Sequence, residues 1–256
     1  MHTPDCAILG MGYLGKPLAE KMFENGSRIS ALKRQSVSAN LPVNLHTADL
    51  NHPRVFEADF WQTWADKPLW FCLLPPSAVA DYPALLAGWL QLARNFGIKH
   101  IVYAGSTSVY GDAARPCSEH TAPEPQTESA CKIYRVEKLL RESGIPNIDI
   151  LRLGGLYCAK RHPLHSLLKC SNLTGAHRPV NMLHRNRAVA ALHRAAVTPA
   201  GLRIRNIVEA QHPTQYNFYR TEAAKLGLPE PAFNLGDQSG GKTVYTVYGD
   251  FADLLL

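Results

Sequence analysis

The chain has 256 residues, 46% of them hydrophobic, and a formal net charge of +6. That length suits one large α/β domain or a domain with a small lobe, and the apolar share suffices for a sizeable core. No apolar run reaches the ~18 residues of a membrane helix, and the Lys and Arg residues are spread out, which argues against a nucleic-acid surface. MHTPDC leads straight into an apolar stretch with no basic region or cleavage-like site, so no secretion signal is read. The cysteines Cys6, Cys72, Cys117, Cys131, Cys158 and Cys170 form no CxxC pair. The expectation is a cytoplasmic protein with reduced thiols and no metal site.

In chain order, CAIL (Cys6 to Leu9) predicts a short buried strand, followed by Gly10-Met11-Gly12-Tyr13-Leu14-Gly15. Leu14, Leu18 and Met22 recur at helical spacing, Pro17 suits a helix start, and Asn25-Gly26 suits a helix end. Arg28 to Leu32 predicts a second strand. This is a GxGxxG motif in strand–turn–helix–strand context. Gly10 permits the tight turn, Gly12 lets the backbone approach a pyrophosphate, and Gly15 lets helix and strand pack. The helix N-terminus then faces the anion. The second strand ends in Lys33-Arg34 rather than in the acid that would bond an NAD ribose. A guanidinium attracts a 2′-phosphate, so the sequence leans to NADP over NAD, unless Lys33 and Arg34 are solvated loop residues. Asp49 and Leu50 end a third strand, where they would lie by the adenine.

LWFCLL (Leu69 to Leu74) reads as a parallel strand covered on both faces and is stopped by Pro75-Pro76. Tyr82 to Phe96 predicts an amphipathic helix, and Lys99 to Ala104, Ser143 to Leu153 and Arg203 to Val208 supply further strands. Strands alternate with helices, which implies a doubly wound parallel sheet of the Rossmann type.

Gly105-Ser106-Thr107-Ser108-Val109-Tyr110-Gly111-Asp112 follows a strand. Its S-[ST]-x-VYG pattern resembles the extended short-chain dehydrogenase/reductase superfamily, in particular the NAD-dependent epimerase/dehydratase family. Glu119-His120-Thr121 with Pro125, LRLGGLY (Leu151 to Tyr157), VNMLHRNRAVAAL (Val180 to Leu192) and FYRTEAAKLGLP (Phe218 to Pro229) resemble later segments of it in the same order. Asn186 and Arg187 stand where two acids are usual. The resemblance implies a Rossmann domain over 1–155 with 181–210 returning to it. It also implies a small interleaved lobe from 156–180 and 211–256. Cofactor contacts are expected from Gly10, Met11, Gly12, Tyr13, Leu14, Gly15, Lys33, Arg34, Asp49, Leu50, Leu74 and Pro75. Ser106, Leu153, Gly154 and Leu156 are expected beside the nicotinamide. Ser108, Tyr110 and Arg161 are expected to contact a substrate, by analogy a nucleotide sugar. A homodimer through the helix around Ser129 to Leu140 is a further expectation of the family.

In the family a Tyr, and a Lys one turn later, carry the proton. ESACKIYRVEK contains Tyr134 and Lys138 at that spacing. Counting from Glu119 and Pro125, and back from Glu137, the Tyr position falls on Ser129 and the Lys position on Ile133. Tyr134 is then five residues late, about 140° around a helix and roughly 7.5 Å along it. Tyr134 is therefore read as packing surface and Lys138 as a solvated charge. Ser106 and Ser129 remain as catalytic candidates, Ser129 as a holder of water. Ser108, Tyr110, His120, Tyr157 and His162 are further hydroxyl or imidazole groups to consider. His184 reads as structural, the aromatics at 216–219 as core, and Gly240-Gly241-Lys242 as a turn. Two readings stand: an NAD(P)-dependent oxidoreductase or epimerase/dehydratase-like enzyme with its Tyr/Lys pair replaced, or a catalytically silent NADP-binding sensor or scaffold.

Overall fold

The computed structural model describes residues 3–35 and 42–256, so Met1 and His2 of the N-terminal reading lie outside the described residues. CAIL forms β1 (Cys6–Leu9), with α1 at Gly15–Glu24, β2 at Ile29–Lys33, β3 at Asn44–Thr47 and β4 at Leu69–Cys72. Then follow α2 (Tyr82–Asn95), β5 (His100–Ser106), β6 (Pro116–Cys117), α3 (Glu128–Arg141), β7 (Asn147–Leu153) and β8 (Gly155–Tyr157). The remainder is α4 (Leu164–Leu167), β9 (Met182–His184), α5 (Arg185–Val197), β10 (Leu202–Ile207), α6 (Gln215–Leu226) and β11 (Thr243–Val244). Among the described residues no helix is long and apolar enough to cross a membrane.

Seven strands make one parallel sheet in the order β10-β7-β5-β4-β1-β2-β3. Alternation along β1 explains the layers. Ala7 and Leu9 join one buried cluster with the α2 residues Leu86 and Trp89 and the α3 residues Val136 and Leu140. Cys6 and Ile8 join the other, with Leu18 and Met22 of α1 and Ala188 and Leu192 of α5. Both sheet faces are thus covered, as a doubly wound parallel sheet requires. The strand order reverses at β1 and β4, so a crevice opens between their carboxyl ends.

Two buried polar networks tie the far half of the sheet. Arg152 of β7 donates to Glu137 of α3 through Nε (3.0 Å) and Nη2 (2.6 Å), and through Nη1 to the Tyr110 hydroxyl (2.8 Å). Tyr110 in turn donates to Asn206 Oδ1 (2.9 Å). Asp149 pairs with Arg203 and His100. Burying one member of such a set without its partners costs several kcal/mol, so these groups persist only together.

Residues 158–180 and 211–235 pack on each other beyond the sheet. Leu173 bridges to Phe233, and Tyr157, His162, Phe218 and Tyr219 form a cluster of edge-to-face and stacked rings. The last residues go elsewhere. Phe251 and Leu255 are buried beside α1 and α5 in the main core, and Tyr245 to Val247 run along β10.

Candidate functional site

The glycine loop sits between β1 and α1. Gly10 has φ +106°, a conformation that L side chains rarely adopt, and a Cβ there would meet the Leu73 carbonyl carbon at 3.0 Å. A Cβ on Gly15 would stand 2.2 Å from the Gly10 carbonyl oxygen, so glycine is required for α1 to begin against β1. Gly12 differs: a Cβ there would meet nothing within 4 Å. Its surroundings are open space at the N-terminus of α1, where first-turn N–H groups lack helical partners.

That space is a cavity of about 560 Å³ at the crevice between β1 and β4. Gly10 to Leu14 form one wall, Leu73, Leu74, Pro75, Ser77 and Ala78 another, and Leu32, Lys33, Arg34 and Leu50 close the β2 side. Leu156 and Arg161 complete it. The lining has three cationic side chains, Lys33, Arg34 and Arg161, and no carboxylate. None of the three forms an ion pair within 4 Å among the described residues, although Arg34 lies close enough to Asp49 to stabilise that carboxylate. Phosphates on a dinucleotide fit this cradle: open space over Gly12 and unneutralised cations at both ends.

Another cavity of similar size lies at the amino ends of β2 and β3, lined by Ser27 to Ser30, Asp66 and Lys67. There the cations are already paired, Arg28 with Asp5 and Asp66, and Lys67 with Asp66. It lies away from the strand carboxyl ends where ligands of doubly wound sheets bind, so the β1/β4 crevice is the stronger candidate.

A further cavity of about 330 Å³ follows β5 and β7. Ser106, Thr107, Ser108, Gly154 and Gly155 line it from the sheet, and Arg178, Gln215, Tyr219 and Lys242 from outside. The Ser106 hydroxyl oxygen accepts the Ser108 N–H at 3.1 Å, which fixes the side chain and leaves its proton free to donate. Gly155 lines this cavity and Leu156 the glycine-loop one, so adjacent residues of β8 separate them.

The other expected residues divide. Asp49 is exposed, its Oδ1 accepts from the Asn51 backbone and side chain at 3.0 Å, and it does not line the cavity; those bonds hold its carboxyl below the usual range. Leu153 is buried in the core beside Gly154 rather than lining either cavity. Tyr110, expected at the substrate, is 1% exposed, and its hydroxyl is committed to Arg152 and Asn206. Arg161, also expected there, instead lines the glycine-loop cavity. Ser129 is exposed on α3 and lines neither cavity, and Ile133 is buried. Tyr134 packs against the core with the Lys138 ammonium 4.6 Å from its ring centroid, and neither residue lines a cavity.

His184 caps α5, its Nδ1 accepting the Asn186 N–H at 3.3 Å. His162 is buried, its Nδ1 accepting the Leu164 N–H at 3.2 Å, and burial lowers its pKa more than Glu222 raises it. His120 is exposed near Tyr248. The Tyr157 hydroxyl points at both Glu209 oxygens (3.2 Å), and burial and that charge raise its pKa. Sequence reasoning missed Arg178, took Lys242 only as part of a turn in a loop bordering the substrate lobe, and read Tyr219 as core. Lys242 reaches the Gly111 carbonyl and Asp112 from 130 residues away, a link without local signature.

The architecture is therefore that of a Rossmann-type doubly wound sheet with a glycine-loop crevice. No family model matches the chain. Protein YeeZ of Escherichia coli K12 is 29% identical over 247 residues, covering 93% of this chain and 90% of YeeZ. Among solved structures, MoeE5 in complex with UDP-glucuronic acid and NAD superposes with a TM-score of 0.78 at 20% identity, over 98% of this chain and 92% of that one. UDP-glucuronic acid 4-epimerase from Bacillus cereus in complex with NAD gives 0.78 at 15% identity, with 98% and 92% covered. These likenesses establish the fold; at such identities they carry no residue-level function.

Proposed function

We propose that the chain binds a nicotinamide dinucleotide, NADP ahead of NAD, in the β1/β4 crevice, and acts as an oxidoreductase or epimerase-like enzyme. The observation that carries this reading is the glycine-loop cavity with three cations and no carboxylate. Gly12 gives the pyrophosphate room, and Lys33 and Arg34 attract a 2′-phosphate, as the acid usual at that strand end for NAD would not. Leu50 packs at the adenine, and Leu74, Pro75 and Leu156 line the path toward the nicotinamide. Once bound, the nicotinamide supplies or accepts a hydride.

The Ser106 cavity holds the substrate. Ser106 donates to a substrate oxygen; Lys242 is already paired with Asp112, which lines the same cavity, so Arg178 is the cation left to favour an anionic group. The ligands of the structural neighbours make a nucleotide sugar the working class. Residues 156–180 and 211–235 form the lobe that closes this side. On this reading the Tyr/Lys pair of the resembling family is absent, its positions taken by Ser129 and Ile133. The sequence register alone keeps a second reading in play, a sensor that binds NADP without turnover; the likeness to NAD-bound enzymes supports the first.

The first test is a fluorescence titration with NADPH and NADH side by side at one salt concentration. Tighter NADPH binding is expected, and Arg34→Ala should abolish the difference. Equal affinities, or a preference for NADH, would remove the NADP assignment. Hydride transfer to a supplied nucleotide sugar then separates enzyme from sensor.

A further inference from the structure

We infer that Arg161 is a pyrophosphate-binding residue, which clamps the dinucleotide against the glycine loop, and that it does not belong to the substrate cavity. The inference rests on the dinucleotide reading above. The Arg161 guanidinium carbon lies 4.8 Å from the Tyr13 ring centroid, and that of Arg185 lies 5.5 Å from the same ring. Two like charges on one ring repel each other. Neither guanidinium has a carboxylate within ion-pair distance among the described residues, and Arg185 Nε is buried without a hydrogen-bond partner. Tyr13 does not neutralise them, because burial pushes its phenol up to about 12 and leaves it uncharged at neutral pH. No carboxylate neutralises the pair among the described residues; the acidic group beside it is the Cys158 thiol, whose pKa burial raises but Tyr13 and Arg185 bring down below the ordinary value, and Tyr13 is the residue after Gly12, where space for a pyrophosphate opens.

The backbone under Arg161 is preorganised. Arg161 N–H donates to the Cys158 carbonyl at 3.0 Å, Cys158 N–H returns a bond at 3.4 Å, and the next residue, His162, is buried against Tyr157 and Phe218. An exposed side chain on a fixed turn can close on a phosphate at small entropic cost. Dinucleotide binding would thereby join the 158–163 turn to the glycine loop, across two parts of the chain that sequence separates by 143 residues or more (158 minus 15).

Pyrophosphate is common to NADPH and NADH, whereas the 2′-phosphate is not, and this makes the role separable from that of Arg34. Wild type, Arg161→Ala, Arg161→Lys and Arg34→Ala are titrated with NADPH, NADH and 2′-AMP, with melting temperatures measured in parallel. Arg161→Ala should weaken NADPH and NADH by the same factor, roughly tenfold or more, and leave 2′-AMP unchanged. Arg161→Lys should recover part of the loss, and Arg34→Ala should weaken NADPH and 2′-AMP alone. A folded Arg161→Ala protein that binds both dinucleotides like wild type overturns the clamp while the dinucleotide reading stands. The same holds if it loses only affinity for a UDP-sugar. Wild-type protein that binds neither dinucleotide overturns both.

Discussion

Gly12 and Gly15 stand three residues apart under opposite constraints. An added methyl at Gly15 would meet the Gly10 carbonyl oxygen at 2.2 Å, so Gly15→Ala must push α1 off β1. At Gly12 the methyl meets no protein atom within 4 Å and would enter only the volume assigned to the pyrophosphate. Gly15→Ala is expected to destabilise the fold by about 1–3 kcal/mol, as overpacking does, and Gly12→Ala to stay within about 0.5 kcal/mol of wild type while losing dinucleotide affinity. Denaturant unfolding with cofactor titration checks both, and a Gly12→Ala protein of normal affinity would empty the cavity of its assigned ligand. Tyr134 is the second residue-scale case. Its ring lies on the core margin under Lys138, so a pair four residues apart satisfies itself on one helix face. Tyr134→Phe keeps the ring and removes only the hydroxyl. Dinucleotide affinity and any turnover should persist, and a large loss of turnover in the folded variant would restore the pair to catalysis.

Elements with one dominant pattern were legible before any coordinates. CAIL and LWFC form continuous buried runs, and α2 buries Leu85, Leu86, Trp89 and Leu90 at helical spacing, because local periodicity and burial coincide there. The glycine loop was legible for the same reason: its turn, its strand and its helix are contiguous. The Ser106 cavity was not, since Arg178 and Lys242 reach it from distant loops, and no periodicity encodes such a meeting. Nor was the cover on β10. That strand ends the sheet, and Glu119 accepts its Asn206 N–H (2.8 Å) together with the Val247 N–H (3.0 Å). The Asn206 amide meanwhile donates to the Tyr245 carbonyl (2.9 Å). Covering an edge in this way blocks pairing with another chain. Phe251, 1% exposed, pins the covering segment into the core beneath Arg203. Phe251→Ala should therefore cost about 3–5 kcal/mol and raise aggregation near the melting temperature. Light scattering during thermal unfolding reads both, and a loss under about 1 kcal/mol would show that the segment is not held by this ring.

Across the whole molecule, three histidines make stability depend on pH. Burial lowers the pKa of His46, His162 and His193 below the ordinary value of about 6.5. Glu222 opposes this at His162, and Lys21 adds to it at His193, but the direction is downward at all three. The folded chain thus binds fewer protons than the unfolded chain in the window just below the unfolded value. By linkage, stability rises with pH through that window. The contribution is complete above the unfolded value and is lost as pH falls below it toward the folded values. Carboxylates act lower down. Asp237, held down by the N–H groups of Gly175 and Ser239, and Asp253, held down by Arg194, lose their contributions only as pH falls through the carboxylate range near 4. Two separate losses are therefore expected on acidification, the first setting in as pH falls through about 6.5. Melting temperatures across pH 8 to 4 would resolve them. His193→Gln removes a group whose charged form burial and Lys21 disfavour in the fold, so its curve should fall less over the first window than that of wild type. A wild-type melting temperature that is flat from pH 7.5 to 5 would mean that these imidazoles are protonated in the fold without penalty. The cores around β3, α5 and the Tyr157 ring cluster would then have to open to water more than their packing allows.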